Sequence, residues 1–159
     1  MHVLIIAVGK LREKYLQQGV REYAKRLKPY ARLEIIEVPE EKVSEKVSPA
    51  EKRQALEREA EKVLRYLPDK SHMIVLDIQG KLLSSEEFSR YLEDLSLRGQ
   101  SNIAFVVGGP LGLDPKLISR ADFRLSFSPM TFPHQLARLI LLEQIYRAFK
   151  ILRNEPYHK

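Results

Sequence analysis

Five short apolar segments rich in β-branched residues alternate with helix-like segments along the chain, and this alternation limits the possible folds more than any other feature. The strands are predicted at His2–Val8, Arg32–Val38, Met73–Leu76, Ile103–Val107 and Arg124–Phe127. The third and fourth runs carry no charged residue, which is typical of central parallel strands buried on both faces. The pattern predicts an α/β fold with a mainly parallel, five- to six-stranded sheet flanked by helices. No linker or internal repeat interrupts the 159 residues, so we expect one domain, 1–159.

Capping residues and prolines mark the predicted helices. Ser48-Pro49-Ala50-Glu51 combines a capping serine, a proline at the first helical position and a capping-box glutamate. Ser84 to Glu87 forms a similar start, and Gly99 is a typical helix stop. The helices are predicted from about Leu11 to Leu27, from Pro49 to Leu67, from Ser85 to Leu97, from Pro115 over a short stretch, and from Pro133 to about Arg153.

The last helix has apolar residues around nearly its whole circumference, whereas a surface helix of a small monomer needs only one apolar stripe. We therefore expect one face to pack on the sheet and the other on a second subunit, giving a homodimer. Leu142, Ile145 and Phe149 share one face and are the predicted seam. The alternative is a helix buried entirely within its own domain.

Several chemistries are excluded or disfavoured by what the sequence lacks. It has no cysteine, which excludes disulfides, thiolate metal sites and cysteine nucleophiles. Its histidines (His2, His72, His134 and His158) lack ligand-like spacing, so no metal is expected. The common nucleotide-binding and hydrolase motifs do not occur. No apolar run is long enough to span a membrane and no signal peptide is recognised, so we expect a cytoplasmic protein without a membrane partner.

The chain carries a formal net charge of +6, and most of this excess is concentrated near its end. Residues 101–159 hold 8 basic and 4 acidic side chains, against 10 and 7 in residues 1–50. If the protein binds a polyanion such as a nucleic acid, the C-terminal third is the predicted contact region.

Three loops follow the carboxyl ends of predicted strands, which is where open α/β sheets bind ligands. They are residues 76–80, 108–112 and 127–133. Glycines at 108, 109 and 112 would let backbone groups approach a ligand, although Gly-Gly-Pro is also a common turn signal. The third loop mixes aromatic rings with hydroxyls and has no charge, which suits a flat ligand such as adenine. A buried strand-to-helix connection is the alternative.

Tyrosine, histidine, arginine and lysine crowd together in the tail 153–159. These residue types can stack on a base, pair with phosphate and exchange a proton near neutral pH. A solvated basic end is the alternative.

An ordered set of short motifs carries a family resemblance. The motifs are Leu76-Asp77-Ile78-Gln79-Gly80, Gly108-Gly109-Pro110-Leu111-Gly112, Leu125-Ser126-Phe127-Ser128, Thr131-Phe132-Pro133-His134 and Tyr157-His158-Lys159. Together they resemble the ribosomal RNA large-subunit methyltransferase H family of the SPOUT (trefoil-knotted) superfamily. The resemblance covers essentially the whole chain.

The resemblance implies a C-terminal trefoil knot, a homodimer, and S-adenosylmethionine bound among the three loops. The implied reaction is methylation of N3 of a pseudouridine in large-subunit (23S) ribosomal RNA, which we expect on an assembled ribosome. The implied cofactor-binding residues are Leu76, Gly108, Phe127, Ser128, Pro129, Met130, Thr131 and Phe132.

The tail then becomes the candidate substrate-binding segment. His158 is the candidate catalytic base for the N3 proton, and His134 competes with it. Arg153 would bind phosphate, and Tyr157 would stack on or orient the base. Two alternatives come from other classes: a methyltransferase acting on a small molecule, and a non-catalytic ribosome-binding protein.

Overall fold

The computed structural model describes residues 1–159 and contains ten alternating elements. The strands are β1 (His2–Val8), β2 (Arg32–Val38), β3 (His72–Leu82), β4 (Asn102–Val107) and β5 (Phe123–Ser126). The helices are α1 (Lys14–Leu27), α2 (Pro49–Tyr66), α3 (Ser85–Leu97), α4 (Pro115–Arg120) and α5 (His134–Leu152). The predicted α/β class and all ten predicted elements are confirmed. None of the helices is both long and apolar enough to cross a membrane.

All five strands form one sheet in the order β2-β1-β4-β3-β5, and every neighbouring pair is parallel. Helices α1, α5 and α3 pack on one face, where Leu27, Phe88 and Ile145 belong to one apolar cluster. Helices α2 and α4 cover the other face through Val63 and Leu117. Both faces of the central strands are therefore buried, as their continuous apolar sequences predict. The C-terminal knot implied by the resemblance stays a prediction.

Strand β3 is longer than predicted, because its polar second half returns to the sheet. The backbone leaves the ladder after Leu76, and Leu125 of β5 pairs first with Leu76 and then with Lys81. A side chain at Gly80 would place Cβ 2.6 Å from the carbonyl oxygen of Arg124, so only glycine fits this approach. Residues 77–80 thereby form a bulge in β3, near the carboxyl ends of the strands.

The prediction that Leu142, Ile145 and Phe149 form a dimer seam is wrong. Leu142 and Ile145 are fully buried and Phe149 is nearly so, because all three pack into the cluster beneath α1, α5 and α3. Much of the apolar circumference of α5 is used within the chain, since the helix also contacts both α1 and α3. Leu139, for example, lies against Gly19 of α1.

The side of α5 that faces away from the sheet divides into two halves. Helical periodicity places Leu136 and Ile140 on this outward side of the first half, and both are partly exposed. The chain's own tail covers the second half, because α5 ends in a Schellman motif that turns the backbone. Asn154 adopts a positive φ of 51°, and the Glu155 N–H donates to the Lys150 carbonyl at 2.9 Å. The uncovered apolar surface of α5 is therefore its first half.

Candidate functional site

The three loops selected from the sequence meet at the carboxyl ends of β3, β4 and β5, where they form one cleft. Its volume is about 270 Å³, close to the lower end of the roughly 300–1,000 Å³ range of small-molecule pockets. Apolar side chains and glycines form most of its wall. His134 and Ala137 from the first turn of α5 close one side.

The structure brings together nearly all the residues that the resemblance implied for the cofactor. Those lining the cleft are Leu76, Gly108, Phe127, Ser128, Met130, Thr131 and Phe132. Pro129 does not line it and is exposed, because residue 129 lies on the outer side of the loop. Met130, at 74% exposure, stands at the rim.

The backbone of loop 127–132 has free hydrogen-bonding groups. No N–H or carbonyl of these six residues bonds to another backbone group. Side chains hold the loop instead: the Ser126 hydroxyl donates to the Ser128 carbonyl at 3.2 Å, and the Met130 N–H donates to Ser128 Oγ at 3.0 Å. The remaining donors and acceptors can bond to the edge of a flat heterocycle, while Phe127 and Phe132 offer apolar contact.

The glycine loop is a tight turn that also forms part of the cleft wall. The Gly112 N–H donates to the Gly109 carbonyl at 3.0 Å, and Gly112 has a φ of +85° that favours glycine. A Cβ on Gly108 would lie 2.8 Å from the Gly112 carbonyl oxygen. Gly108 is therefore required first by the loop's own closure, in addition to the close approach of a ligand that the sequence suggests.

Asp77 and Arg124 hold the first loop. Asp77 belongs to a selected motif, but neither residue was predicted to have a role in the site. The Arg124 Nε and Nη2 atoms lie 2.8 and 2.6 Å from Asp77 Oδ2, and the Gln79 N–H donates to Asp77 Oδ1 at 3.0 Å. The Asp77 carboxylate thus closes the bulge of β3 through Gln79 and links it to β5 through Arg124. An aspartate directly after a buried strand was the available signal, but its arginine partner lies 47 residues away.

Arg138 anchors the start of α5 beside the cleft and was also missed. Its side chain is 2% exposed, and its two terminal nitrogens donate to Glu37 Oε2 at 2.5 Å and to the Gly9 carbonyl at 3.0 Å. The helix start is thereby fixed to the ends of β1 and β2. His134, one turn earlier, has a pKa lowered from its ordinary value, chiefly by burial. The neutral imidazole is the form that this environment favours.

The tail does not enter the cleft of its own chain. The Tyr157 hydroxyl donates to Glu143 Oε1 at 3.0 Å, and the Arg147 guanidinium carbon lies 4.6 Å from the centre of the Tyr157 ring. Arg153 is exposed and lies over the ring of Tyr30 at 4.5 Å. Tyr157 and Arg153 therefore lie away from the cleft, Tyr157 on the outward side of α5 and Arg153 beside the residues that follow α1.

His158 is held by both of its ring nitrogens. Nδ1 lies 3.2 Å from Arg147 Nη1, and Nε2 lies 2.7 Å from Glu86 Oε1. Because a guanidinium can only donate, Nδ1 is the acceptor and the ring proton resides on Nε2. The pKa of Glu86 falls to about 2, first through its own backbone N–H and then through His158.

Comparison with known proteins assigns the family. The family model described as "Predicted SPOUT methyltransferase" matches residues 1–158. The chain belongs to the SPOUT methyltransferase family. Among its relatives, "Ribosomal RNA large subunit methyltransferase H" of Carboxydothermus hydrogenoformans is 55% identical over 159 residues, which is 100% of both chains. The protein of the same name from Clostridium acetobutylicum is 54% identical over the same length.

Solved structures support the SPOUT fold at low sequence identity. A probable methylase family protein from Haemophilus influenzae has a TM-score of 0.56 at 15% identity, covering 99% of this chain and 70% of that one. TrmJ from Z. mobilis has a TM-score of 0.52 at 13% identity, covering 100% of this chain and 73% of that one. The predicted fold class is therefore confirmed.

SPOUT methyltransferases use S-adenosylmethionine as methyl donor, and the cleft fits this molecule by its chemistry. An adenosine needs apolar walls for its base and hydrogen-bonding groups for the base edges. The aromatic rings and free backbone groups of loop 127–132 offer both. Gly80 and Gly108 let the other two loops fold back tightly, so that their backbones form wall rather than filling the space.

Proposed function

We propose that this SPOUT methyltransferase transfers a methyl group from S-adenosylmethionine to N3 of a pseudouridine in 23S ribosomal RNA. We further propose that it acts on an assembled ribosomal particle in the cytoplasm. The observation that carries the proposal is the 55% identity, over both full chains, to a relative named ribosomal RNA large subunit methyltransferase H. The N3 position is the one that the family resemblance of the motifs implies.

In this proposal, the three loops hold the methyl donor. Leu76, Gly108 and the cleft-lining residues of loop 127–132 would bind it, with Phe127 and Phe132 against the adenine. The Asp77–Arg124 pair would fix the loop beside Leu76. When bound, S-adenosylmethionine supplies an electrophilic methyl group on a sulfonium. The protein's task is to orient that group towards the acceptor nitrogen and to exclude water.

The acceptor nitrogen carries a proton that must leave for the methyl group to bind, so a proton acceptor is needed. His158 is the proposed acceptor. Its Nδ1 lone pair is occupied by Arg147, so substrate binding must draw the guanidinium away before the ring can accept the proton. Tyr157 would stack on or orient the base, and Arg153, which has no acidic partner, would bind an RNA phosphate.

We also propose a homodimer in which the first half of α5 forms the contact. Leu136 and Ile140 lie on the outward side of α5, directly after the loop that carries the exposed Met130. The tail lies farther along the same outward side, through its contacts with Glu143 and Arg147. A partner docked at Leu136 would therefore meet this tail, so the tail of one subunit could complete the cleft of the other.

The experiment combines binding with methyl transfer. Calorimetry should detect stoichiometric S-adenosylmethionine binding to the purified protein. Ribosomes from a bacterium lacking its own enzyme of this family should then accept a labelled methyl group, which mass spectrometry of nuclease digests should locate on one pseudouridine of 23S RNA. Binding without transfer to any ribosomal particle would contradict the RNA substrate, and the absence of binding would contradict the enzyme class.

A further inference from the structure

Helix α1 carries a stripe of exposed positive charge that the proposed reaction does not use. Lys14, Arg21 and Lys25 lie on one face of α1, and Lys28 continues that face one residue beyond its end. Their positions, i, i+7, i+11 and i+14, follow the helical repeat. All four side chains are exposed, and none has an acidic partner within 4 Å. We call these four residues the α1 stripe.

The α1 stripe points away from the body of the protein. The buried residues of α1, Leu16 and Leu27, lie on the opposite side of the helix, and the flanking Tyr23 packs beside Tyr146 of α5. The two acidic residues near it, Glu13 and Glu22, lie off the stripe, and Glu22 is paired with Arg26. Four free cations along about 21 Å of helix are thus presented to solvent without a carboxylate among them.

The helix layer that contains α1 is electrically polarised. Helix α1 holds four basic residues and one acidic residue, whereas α3 holds four acidic residues and one basic residue. Both helices pack on the same face of the sheet, with α5 between them. An approaching polyanion is therefore attracted to the α1 side of this layer and repelled from the α3 side. Helix α2, on the other face of the sheet, mixes both signs along its length.

We infer that the α1 stripe binds the phosphate backbone of ribosomal RNA outside the methyl-transfer cleft and orients the enzyme on the ribosome. This inference rests on the proposed function, because that function supplies the RNA. Phosphate contacts made by lysine and arginine position a protein on a nucleic acid without reading its sequence. Helix α1 follows β1 in a parallel sheet, so Lys14 lies towards the edge that carries the cleft and Lys28 towards the other edge. Bound RNA would extend past the cleft along one side of the enzyme.

The test compares two variants that lose the same number of positive charges from helices on opposite faces of the sheet. The stripe variant is K14Q/R21Q/K25Q/K28Q, and the control is K52Q/R53Q/R58Q/R65Q in α2, whose four cations are likewise exposed and outside any ion pair. Each variant lowers the formal charge by four, and glutamine keeps helix propensity close to that of lysine and arginine. Binding to ribosomes from a strain lacking the family enzyme is measured over a KCl series, together with kcat, KM and S-adenosylmethionine affinity.

For the stripe variant, we expect weaker ribosome binding and a higher KM by about tenfold or more at roughly 100 mM KCl. The slope of log Kobs against log salt should flatten by about 3, since four phosphate contacts are lost. The affinity for S-adenosylmethionine should not change. The α2 control should differ from wild type by less than about twofold. Equal losses in both variants would overturn the inference, because net charge alone would then explain them.

A photo-crosslinker placed at Gln18 identifies what the stripe touches. Gln18 is exposed and lies among the four cations, and Gln54 of α2 is the matched exposed control position. A crosslink from position 18 to ribosomal RNA is expected, and a crosslink to a ribosomal protein alone would overturn the assignment. If the wild-type protein neither binds nor methylates ribosomes, the proposed function itself fails. If the wild-type protein is active but the two variants behave alike, only the inference about the α1 stripe fails.

Discussion

Asp77 shows how one side chain can shape the cleft without filling it. Its carboxylate accepts from the Gln79 backbone within its own loop and from Arg124 on the neighbouring strand. Charge-assisted hydrogen bonds of this kind are about twice as strong as neutral ones. The bulge of β3 is therefore held at one position against β5, and Leu76 with it.

Arg124→Gln should weaken S-adenosylmethionine binding although Arg124 does not line the cleft. The variant removes the ion pair, so residues 77–80 lose a positioning contact; we expect an affinity loss of about tenfold, equivalent to about 1.4 kcal/mol. Because Arg124 is partly exposed, the melting temperature should change little. Calorimetry and thermal unfolding measure the two effects. Lys116→Gln is the control, because it removes an exposed ion pair, Lys116–Glu57, neither side of which lines the cleft. Unchanged cofactor affinity would show that the bulge holds its shape without this pair.

Two half-buried histidines should make the fold sensitive to mild acid. Burial lowers the pKa of both His72 and His134, so the unfolded chain binds more protons than the folded one below about pH 6.5. The free energy of unfolding should be highest above that pH and should fall as the pH drops to about 5.5. Urea unfolding across this window measures the effect. The double variant H72Q/H134Q should flatten the curve, and an equally steep decline in that variant would contradict the assignment.

At the scale of elements, α5 has a core side and an outward side that carries the proposed dimer contact. Its sheet-facing side is complete within the chain, its second half is covered by the tail, and Leu136 and Ile140 remain partly exposed. A charge placed on the outward side of the helix should therefore have a different consequence from a charge placed on its core side.

Leu136→Asp should give a folded monomer, because it places a charge on the proposed dimer contact while the core stays intact. Ile145→Asp should instead prevent folding, since it buries an unpaired carboxylate in a fully closed core at a cost of several kcal/mol. Sedimentation velocity and circular dichroism distinguish the two outcomes. A stable wild-type monomer at micromolar concentration would sink the dimer proposal, whatever the variants do.

At the scale of the whole molecule, the tail and the cleft are separate within one chain. Deleting residues 157–159 should preserve the fold, the dimer and S-adenosylmethionine binding, because these residues lie outside both the cleft and the core. Methyl transfer should be lost, since Tyr157 and His158 are the proposed substrate groups. Methyl transfer is measured by collecting ribosomes on a filter and counting the labelled methyl groups they carry. S-adenosylmethionine binding is measured by calorimetry.

Mixed dimers then show which cleft the tail serves. The tail-deleted chain is combined with Gly108→Val, whose side chain would disrupt the glycine loop of its own cleft. If sites are composite, mixed dimers should regain one active site from an intact cleft and an intact tail. Activity no higher than either parent, after proven subunit exchange, would mean that the tail serves its own subunit. The contact of His158 with Glu86 allows that arrangement, because the adjacent Ser85 lines a second pocket that shares Phe127 and Phe132 with the cleft.

The sequence alone determined the elements and the edge of the sheet that carries the cleft. Periodicity and capping are local properties, so Ser48 and Ser84 cap α2 and α3 as predicted. The reciprocal capping box predicted for Ser48 and Glu51 forms instead in α3, between Ser84 and Glu87. Buried parallel strands can also be recognised by their continuous apolar composition, and the carboxyl ends of parallel strands lie at one edge of the sheet. Loops 108–112 and 127–133 could therefore be selected before any coordinates. Resemblance of the motifs, rather than their physics, supplied the cofactor and the reaction.

Tertiary structure decided which residues meet. The Asp77–Arg124 and Arg138–Glu37 pairs join residues 47 and 101 positions apart, and no local pattern encodes such partners. The core side of α5 could not be chosen from a helix that is apolar all round. Charge counts along the chain pointed to the last third, because the acidic residues of the 39–45 segment offset the basic residues of α1 in the count. In space, however, Glu41 pairs with Lys62 of α2 and Glu40 pairs with Arg12, so neither carboxylate pairs with the α1 stripe. A linear window adds charges that folding separates, and only the fold determines which of them remain free.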